Sequence, residues 1–541
     1  MPPGHERRGL AAVCCLTLAT VLWIVAWGNL ANYFPVGGDE VLTLSASHKL
    51  ATAGVLGSDL ATGLYDAETS FFLNLPIQNL LQAAVFGAWG TGIWQARLPS
   101  LIAGVSLVGL ASWFALRSFG WSVAILTAVT LVFWRSNLIG TEPRPPLLAL
   151  SHSGRYDLLV VGLLWATIVL VYEGVARPRR TTAFMAGVCA ALTALTQFYG
   201  IAAVAVMMIA YVMQWGRRTW REPVVRWSAL GCLLTFLPYV VFVVLNLDAF
   251  TRQAALHGPR VAFLDSSFWL GNLLNETTRY HAVTDASALT PGDRPLIGPW
   301  MFWLAAIPGI VPLIASSRGS GAQRALPWLS LAVPFGVLAL AEQTKAVLYT
   351  SLIIPSLSLS LACALDALLR GRGVRKPLVR RVIQTASAML LVVLIIEGWR
   401  GYRASMHESR TVTAYLEIGR LIESMIPDDR PALGAWRWWW AVGGRRYFAV
   451  NGFWLNSERV FVSGEHPSFR EEVQARRASY LVVDRHFLGD LDRTVPTYRD
   501  AALHFIDSCS VVTGALDDGT YGRIEVRRIS CLDERSPNVA E

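Results

Sequence analysis

The feature of this sequence that most constrains its fold is a series of long apolar segments separated by short polar connections. A helix needs about 20 apolar residues to cross the hydrocarbon core of a bilayer. Hydrophobic residues make up 53% of the chain and charged residues only 16%, which excludes a soluble globular protein. We therefore predict a polytopic α-helical membrane protein with about eleven transmembrane helices. The apolar segments are 10–30, 97–116, 121–138, 157–173, 183–198, 200–215, 226–247, 298–315, 325–341, 347–368 and 382–398.

The basic residues predict the orientation of these helices. A twelfth apolar segment, 75–90, contains Gln78, Asn79 and Gln82, so it either crosses the bilayer or lies along its surface as an amphipathic helix. If it lies along the surface, 18 Lys and Arg residues fall on one side of the membrane and 10 on the other before residue 398. This bias matches the positive-inside rule, so we predict that the segment does not cross. The bias also explains the net charge of +9 without a nucleic-acid partner.

The C-terminal part of the chain has the composition of a soluble domain. Residues 1–398 contain the apolar segments, whereas residues 399–541 mix charged residues with short strand-like and helical runs. We predict a transmembrane module followed by an extracytoplasmic α/β domain. The strand-like runs are 432–436, 459–462, 480–483, 510–515 and 523–529, and the helical runs are 412–425 and 469–477.

A hairpin signal lies near the end of this domain. Asp517, Asp518 and Gly519 are typical turn residues between two strand-like runs. The hairpin would bring Cys509 close to Cys531, and an oxidising compartment would allow a disulfide there. Two unpaired cysteines are the alternative, since pairing does not follow from sequence alone.

Residues 436–440, with the sequence WRWWW, form a strongly aromatic segment of the same domain. Tryptophan can stack on a sugar, lie at a membrane surface or pack in a core. The sequence leaves these three roles open.

Two adjacent acids follow the first apolar segment. Gly37 and Gly38 permit a sharp turn and a close approach to a ligand, so Asp39 and Glu40 would point into a cleft beside the bilayer. A partly desolvated carboxylate can act as a general base, which makes both acids candidate catalytic residues. The alternative is a solvated loop turn. A divalent metal at Asp39 is a further alternative, although the sequence has no complete set of metal ligands.

Other charged residues reach the same side of the predicted bundle. Arg97, at the start of the second apolar segment, either snorkels to the membrane surface or pairs with Asp39 or Glu40. Arg155 and Asp157 precede the fourth segment, where ionisable residues either serve a site or anchor the helix. We therefore treat all three as candidate site residues.

Two polar connections complete this set. His152 and Tyr156 belong to the connection that precedes the fourth segment, and anchoring is the simpler role for His152. Lys345 and Tyr349 are four residues apart and would share a helix face. Lysine suits a phosphate and tyrosine can add a hydrogen bond, with snorkelling as the alternative for Lys345. Acids beside cations at a bilayer surface suit a phosphate head group with a long lipid tail.

The order of these features resembles that of GT-C fold glycosyltransferases. This group contains the dolichyl-phosphate-mannose protein mannosyltransferases and the bacterial aminoarabinose transferases of lipid A. The resemblance covers residues 10–370. Its motifs are the Asp39-Glu40 pair, LPIQNLLQAAVFGAWG, QARLPSLIAGVSLVGL, RSFG and the Arg-x-Asp of Arg155 to Asp157, and QARLPS is the most specific of them.

The resemblance implies roles for the candidate residues. The first external loop, 31–96, would hold in-plane helices. Asp39 or Glu40 would contact the acceptor and act as base, and Arg97 would orient the acid. The residues assigned to binding or orienting the donor are Arg97, Arg155, Tyr156, Asp157, Lys345 and Tyr349.

Together these features predict a glycosyltransferase of the plasma or inner membrane. It would move a sugar from a polyprenyl-phosphate donor to an extracytoplasmic glycan, lipid or protein, with inversion of the anomeric carbon. No nucleotide-binding Gly-rich loop is evident, which suits a lipid donor, and we predict no required cofactor. The alternatives are a lipid or solute transporter, whose charges would line a path through the bundle, and a non-catalytic membrane subunit.

Overall fold

Apolar helices form most of the molecule in the computed structural model. Within the residues that the structure describes, six helices are long and apolar enough to cross a membrane, and three further apolar helices are shorter. The prediction of a polytopic helical membrane protein is therefore confirmed. The number of eleven spans stays a prediction, because most of segment 298–315 lies outside the described residues. The described residues are 3–28, 30, 35–135, 144–257, 265–284, 309–315, 319, 321–371, 375–427, 430–443, 447–456 and 467–531.

Several helices before the C-terminal sheet begin at a proline. In chain order, α1 to α17 are Pro3–Gly28, Gly38–Ala53, Pro76–Trp89, Ile93–Ser118, Trp121–Phe133, Pro146–Ser151, Asp157–Ala176, Arg180–Ala194, Ile201–Trp215, Pro223–Leu245, Leu247–Ala255, Ser266–Leu274, Glu276–Thr284, Ile310–Ala315, Ala322–Ala341, Ile354–Leu369 and Pro377–Thr411. Proline occupies the first turn of α3, α6, α10, α16 and α17. A missing N–H costs little there, because the first N–H groups of a helix have no partner within the helix.

Helix α3 corresponds to the ambiguous segment 75–90. Its 14 residues span about 21 Å, which is less than the hydrocarbon core of a bilayer. Its polar residues do not face water, as they would on an amphipathic surface helix. Gln78, Asn79 and Gln82 are buried and donate to backbone carbonyls of Gly154, Thr43 and Ala96. These amides instead bind α2, α4 and the connection before α7. The prediction that the segment does not cross the bilayer stays a prediction.

The C-terminal region folds around one mixed sheet. Strands β1 to β5 are Ala432–Gly434, Tyr447–Ala449, Tyr480–Asp484, Ser510–Asp518 and Gly522–Ile529. Their spatial order is β2-β1-β3-β5-β4, with β1 parallel to β2 and β3, and with β5 antiparallel to β3 and β4. The run 459–462 lies outside the described residues. The remaining helices, α18 to α22, are Tyr415–Ser424, Gly452–Leu455, Phe469–Ala475, Arg485–Leu491 and Pro496–Cys509.

The predicted hairpin is present, and of the two alternatives for its cysteines the disulfide is the observed one. Strands β4 and β5 pair from Ser510 opposite Ile529 to Asp518 opposite Gly522, so the turn lies where the Asp-Gly signal predicts it. Cys509 and Cys531 are bonded, with Cα atoms 5.0 Å apart. The disulfide closes the open end of the hairpin.

A single hydrophobic core joins the sheet to the start of the chain. It contains Val41 and Leu44 of α2 together with Tyr415, Trp438 and Tyr521 of the C-terminal region. Of the roles considered for segment 436–440, core packing is the observed one, because its tryptophans are buried or half-buried. Helix α17 runs without a break across residue 398, so the division of the chain at that residue stays a prediction.

Candidate functional site

The two adjacent acids lie in the first turn of α2 and not in a loop turn. Gly37 precedes the helix with φ −97°, an ordinary backbone conformation, so no left-handed turn is needed there. Carboxylates in the first turn interact favourably with the positive end of the helix dipole. The helix directs the two side chains differently, and this gives them different environments.

Glu40 is held in a buried ion pair with Arg97. The Nε and Nη2 groups of Arg97 donate to the two carboxylate oxygens at 2.7 and 2.9 Å. The N–H of Gly154 donates to Glu40 Oε1 at 2.8 Å. The side chains of Arg97 and Glu40 are only 0% and 5% exposed. Three donors therefore fix the carboxylate, and the pair joins α2 to α4 and to the connection before α7.

Asp39 faces outward and belongs to a second ion-paired set. Its side chain is 63% exposed and is paired with Arg155 Nη1. Arg155 Nε also donates to Asp157 Oδ2 at 2.9 Å. One guanidinium thus bridges the first turns of α2 and α7. Across the described ranges, no three His, Cys, Asp or Glu side chains form a group that could hold a metal ion.

The electrostatic environment keeps this bridge charged. Burial lowers the pKa of Arg155, but the carboxylates of Asp157 and Asp39 outweigh burial and raise that pKa well above its ordinary value. Burial also raises the pKa of Tyr156 well above its ordinary value, and the neighbouring Tyr349 adds to this effect. The site therefore combines a fixed cation with protonated phenol groups at neutral pH.

Three tyrosines surround the Arg155 bridge. The guanidinium of Arg155 lies 5.4 Å from the ring centroid of Tyr156, within the range of a cation–π contact. The hydroxyl of Tyr199 donates to Asp157 Oδ1 at 3.5 Å. The rings of Tyr199 and Tyr349 have centroids 4.8 Å apart. The structure thus brings Tyr349 to the same cluster as Arg155, Tyr156 and Asp157.

Lys345 belongs to a separate buried network. Its Nζ donates to Glu276 Oε2 at 2.8 Å and to the carbonyl of Ala339 at 3.0 Å. Arg279 binds both Glu276 and Glu342, so two acids and two bases balance one another. Burial lowers the pKa of Lys345, and the hydrogen bond to Glu276 offsets part of that effect.

The prediction that Lys345 and Tyr349 share a helix face was wrong. Lys345 has φ +51° and precedes a short 3₁₀ helix, Val347–Leu352, that contains Tyr349. The left-handed backbone at Lys345 turns its side chain toward Glu276, while Tyr349 packs against Tyr199. The two residues therefore contact different groups.

His152, for which anchoring was the simpler role, is packed inside the protein. Its ring is buried, with Nδ1 2.8 Å from the carbonyl oxygen of Leu148. Burial lowers the pKa of His152 to about 4, and the cations Arg97 and Arg144 act in the same direction. The ring is therefore neutral at pH 7.

The C-terminal region also reaches the site. Partial burial raises the pKa of Asp490 to about 6, and the charge of Asp39 contributes to this shift. Asp490 lies on α21, and Arg493 Nη1 is 3.4 Å from its Oδ1. The same region packs against α2, since Val41 and Leu44 share a hydrophobic core with Trp438 and Tyr521.

Sequence reasoning missed several residues of these two clusters. Tyr199, which donates to Asp157, precedes an apolar helix without a recognisable signal. Glu276 and Arg279 did have a signal, since their spacing of three residues places an acid and a base on one helix face.

Comparisons with known proteins identify the fold. No protein-family model matches the sequence, and no curated protein matches it. The crystal structure of ArnT from Cupriavidus metallidurans bound to undecaprenyl phosphate is similar over 97% of this chain and 99% of that chain, with a TM-score of 0.60 and 15% identity. The archaeal oligosaccharyltransferase AglB from Archaeoglobus fulgidus, in complex with an inhibitory peptide and a dolichol-phosphate, is similar over 94% of this chain and 74% of that chain, with a TM-score of 0.55 and 11% identity. The protein therefore has the GT-C glycosyltransferase fold.

Proposed function

We propose that this protein is a membrane glycosyltransferase that moves a sugar from a polyprenyl-phosphate donor to a hydroxyl group of an extracytoplasmic acceptor. The observation that carries the proposal is the Arg155 bridge, which holds the exposed carboxylate of Asp39 beside the buried carboxylate of Asp157. The likeness to ArnT with undecaprenyl phosphate and to AglB with a dolichol-phosphate supports a lipid-phosphate donor.

Asp39 is the better candidate for the general base. A base needs an oxygen that can reach the acceptor hydroxyl and then keep its proton. The Asp39 side chain is exposed, whereas both oxygens of Glu40 are occupied by donors in a buried position. We therefore assign proton transfer to Asp39. The ion pair of Glu40 and Arg97 has a structural role, which is to hold α2 in place.

Arg155 is the better candidate for binding the donor phosphate. The guanidinium of Arg155 is charged and lies beside the exposed acid Asp39. A donor phosphate could replace Asp39 as the partner of the Arg155 Nη groups. Lys345 would have to give up Glu276 to contact a phosphate. We propose Arg155 as the main phosphate ligand, with Lys345 and Tyr349 lining the donor side and Asp157 with Tyr156 orienting Arg155.

These assignments describe one inverting displacement. The acceptor oxygen attacks the anomeric carbon of the sugar while Asp39 takes its proton. The bond between the anomeric carbon and the phosphate oxygen breaks, and its electron pair leaves with the lipid phosphate. Arg155 stabilises the negative charge that develops on that phosphate. Attack from the face opposite the leaving group inverts the anomeric centre.

Sugar transfer by the purified full-length protein tests this proposal. The assay uses a panel of polyprenyl-phosphate hexoses and pentoses with an envelope extract as acceptor. Replacing the base should lower the rate at least about a hundredfold, so we expect this loss for Asp39→Asn. The control is Asp59→Asn in the same loop, where the acid is 51% exposed and pairs with Lys49, and it should transfer at the wild-type rate.

Two results would count against the assignments. Wild-type rates for Asp39→Asn would remove Asp39 as the base. Folded wild-type protein that transfers no sugar from any donor would overturn the glycosyltransferase proposal and favour a transporter or a non-catalytic subunit.

A further inference from the structure

Two glutamines of α3 bind one carbonyl of the connection that carries Arg155. Gln78 and Gln82 are four residues apart, so they lie on the same face of the helix. Gln82 Nε2 donates to the carbonyl of Gly154 at 2.8 Å, and Gln78 Nε2 donates to the same oxygen at 3.1 Å. Both side chains are fully buried. The function proposed above gives these two amides no role, although they are among the few polar groups of this helix.

The main chain beside Arg155 is held by side chains. Residues 152–156 connect α6 to α7 and belong to no helix or strand. Within the described ranges, the main chain of Gly154 and Arg155 forms no hydrogen bond to another main-chain group. Instead, the N–H of Gly154 donates to Glu40 Oε1 at 2.8 Å, and the carbonyl of Arg155 accepts from Ser100 Oγ at 2.8 Å. Together with the two glutamines, four side chains therefore fix this segment.

Gln82 is itself fixed by two other helices. Its Nε2 also donates to the carbonyl of Ala96 in α4 at 2.7 Å, and Ser47 Oγ of α2 lies 2.7 Å from its Oε1. Two carbonyl acceptors use both hydrogens of the amide nitrogen, so the orientation of the amide is determined. Gln82 thus joins α2, α4 and the Arg155 connection through one buried group.

The absence of a side chain at Gly154 permits these contacts. A Cβ atom there would lie 2.9 Å from Glu40 Oε1 and 3.3 Å from Gln82 Nε2, which is closer than a Cβ atom normally approaches. The Glu40 carboxylate is not free to retreat, because Arg97 binds both of its oxygens. The glycine therefore lets an acid and an amide bind the same residue.

The ion pairs of Arg155 do not replace these main-chain contacts. They fix the guanidinium, and the pair with Asp39 is the one that a donor phosphate replaces in the proposed function. The pair with Asp157 remains. Where the guanidinium can then lie depends on the main chain from which the side chain starts.

We propose that Gln82, assisted by Gln78, is a positioning residue that holds the main chain at Gly154 and so places the Arg155 guanidinium for the donor phosphate. The inference rests on the proposed function for its effect on phosphate binding, since Arg155 is the phosphate ligand there. Its structural part, an ordered connection between α6 and α7, is independent of that function. In this way α3 serves donor binding without contacting the donor.

The test measures the affinity of the detergent-solubilised full-length protein for undecaprenyl phosphate. The variants are Gln82→Met, which removes the amide but keeps an unbranched side chain, Arg155→Ala, and the double variant of both. The matched control is Gln253→Met. Gln253 is another fully buried glutamine, and it makes three hydrogen bonds to main-chain groups of the first loop. Hydrogen–deuterium exchange of residues 152–157 is the second readout.

We expect Gln82→Met to weaken the binding of undecaprenyl phosphate about tenfold, because a donor to a buried carbonyl is lost. In the Arg155→Ala background the same change should weaken binding less than twofold, since Gln82 acts through Arg155. Exchange of residues 152–157 should speed about tenfold in Gln82→Met. Gln253→Met should match wild type in both readouts, even though both glutamine variants should unfold at a lower temperature.

Wild-type affinity in Gln82→Met would overturn the positioning role. An equal loss of affinity with and without Arg155 would also overturn it, because Gln82 would then act by another route. If Gln82→Met does not fold, Ser100→Ala takes its place with the same expected direction, since it removes only the hydroxyl that binds the Arg155 carbonyl.

Failure of the proposed function is visible separately, in proteins that keep Gln82. Wild-type protein that binds no undecaprenyl phosphate, or Arg155→Ala that binds it as tightly as wild type, would remove Arg155 as the phosphate ligand. The exchange measurement then decides the structural part of the inference, and unchanged exchange of residues 152–157 in Gln82→Met would overturn it.

Discussion

At the scale of single residues, two neighbouring acids differ because their environments differ. Glu40 is buried among three donors, whereas Asp39 is exposed and shares one arginine with Asp157. A buried carboxylate is tolerated only when its charge is paired and its oxygens are hydrogen-bonded. Arg97 is therefore needed for the stability of this part of the fold, independently of any reaction.

Removing Arg97 tests this point. We expect Arg97→Met to lower the free energy of unfolding by about 3–5 kcal/mol, because Glu40 is left as an unpaired buried charge. The double variant with Glu40→Gln should recover most of that loss, since no charge then remains buried. Thermal unfolding in detergent measures both. A double variant no more stable than Arg97→Met would contradict the buried ion pair.

An exposed pair provides the comparison. Lys49 and Asp59 form an ion pair in the same loop, and the Asp59 side chain is 51% exposed. Exposed pairs contribute about 1 kcal/mol at most, so Asp59→Asn should leave the unfolding temperature nearly unchanged.

At the scale of elements, the hairpin of β4 and β5 supports the sheet that faces α2. Strand β5 lies between β3 and β4, so the hairpin contributes directly to the core that contains Tyr521. The disulfide joins the residues just outside both strands, Cys509 and Cys531. Breaking it loosens an edge of the domain without removing a buried side chain.

The disulfide should stabilise the domain chiefly by restricting its unfolded state. Because its cysteines have a sequence separation of 22 residues, replacing both by serine should lower the free energy of unfolding by about 3 kcal/mol. Denaturant unfolding of the full-length protein under oxidising conditions measures the loss. Cys232→Ser, at a free cysteine, is the control. The same unfolding midpoint for wild type with and without reductant would contradict the expected stabilisation.

At the scale of the whole molecule, the acidic start of α2, the Arg155 bridge and the sheet domain lie at one end of the helical bundle. The contacts of Asn451 with Thr62 and of Trp440 with His48 join the sheet domain to the first loop. The excess of Lys and Arg in the other connections predicts that this end is extracytoplasmic. The site would then meet lipid-linked donors in the outer leaflet.

Cysteine labelling in spheroplasts tests the orientation. We expect a membrane-impermeant maleimide to label Arg470→Cys, an exposed position of the sheet domain, in intact spheroplasts. Arg218→Cys, an exposed position in a basic connection, should be labelled only after solubilisation. The unchanged protein is the control, because its five free cysteines lie within helices. The reverse labelling pattern would contradict the predicted orientation.

Local patterns in the sequence were sufficient for much of the architecture. The length and hydropathy of the apolar segments predict the class of protein, because crossing a bilayer requires a minimum run of apolar residues. Strand-like runs and the Asp-Gly turn predict the sheet hairpin and the proximity of Cys509 to Cys531. Strand β2, Tyr447–Ala449, was missed.

Only the tertiary structure decided how distant charges are shared. The sequence predicted that five charged residues lie near one surface: Asp39, Glu40, Arg97, Arg155 and Asp157. It did not determine that Arg97 pairs with Glu40 and that Arg155 pairs with Asp39. That choice depends on which side of α2 is covered by α3, α4 and the sheet domain. Hydropathy and spacing act over a few residues, whereas these ion pairs join residues 57 and 116 positions apart and the core beside α2 also contains residues of the C-terminal sheet.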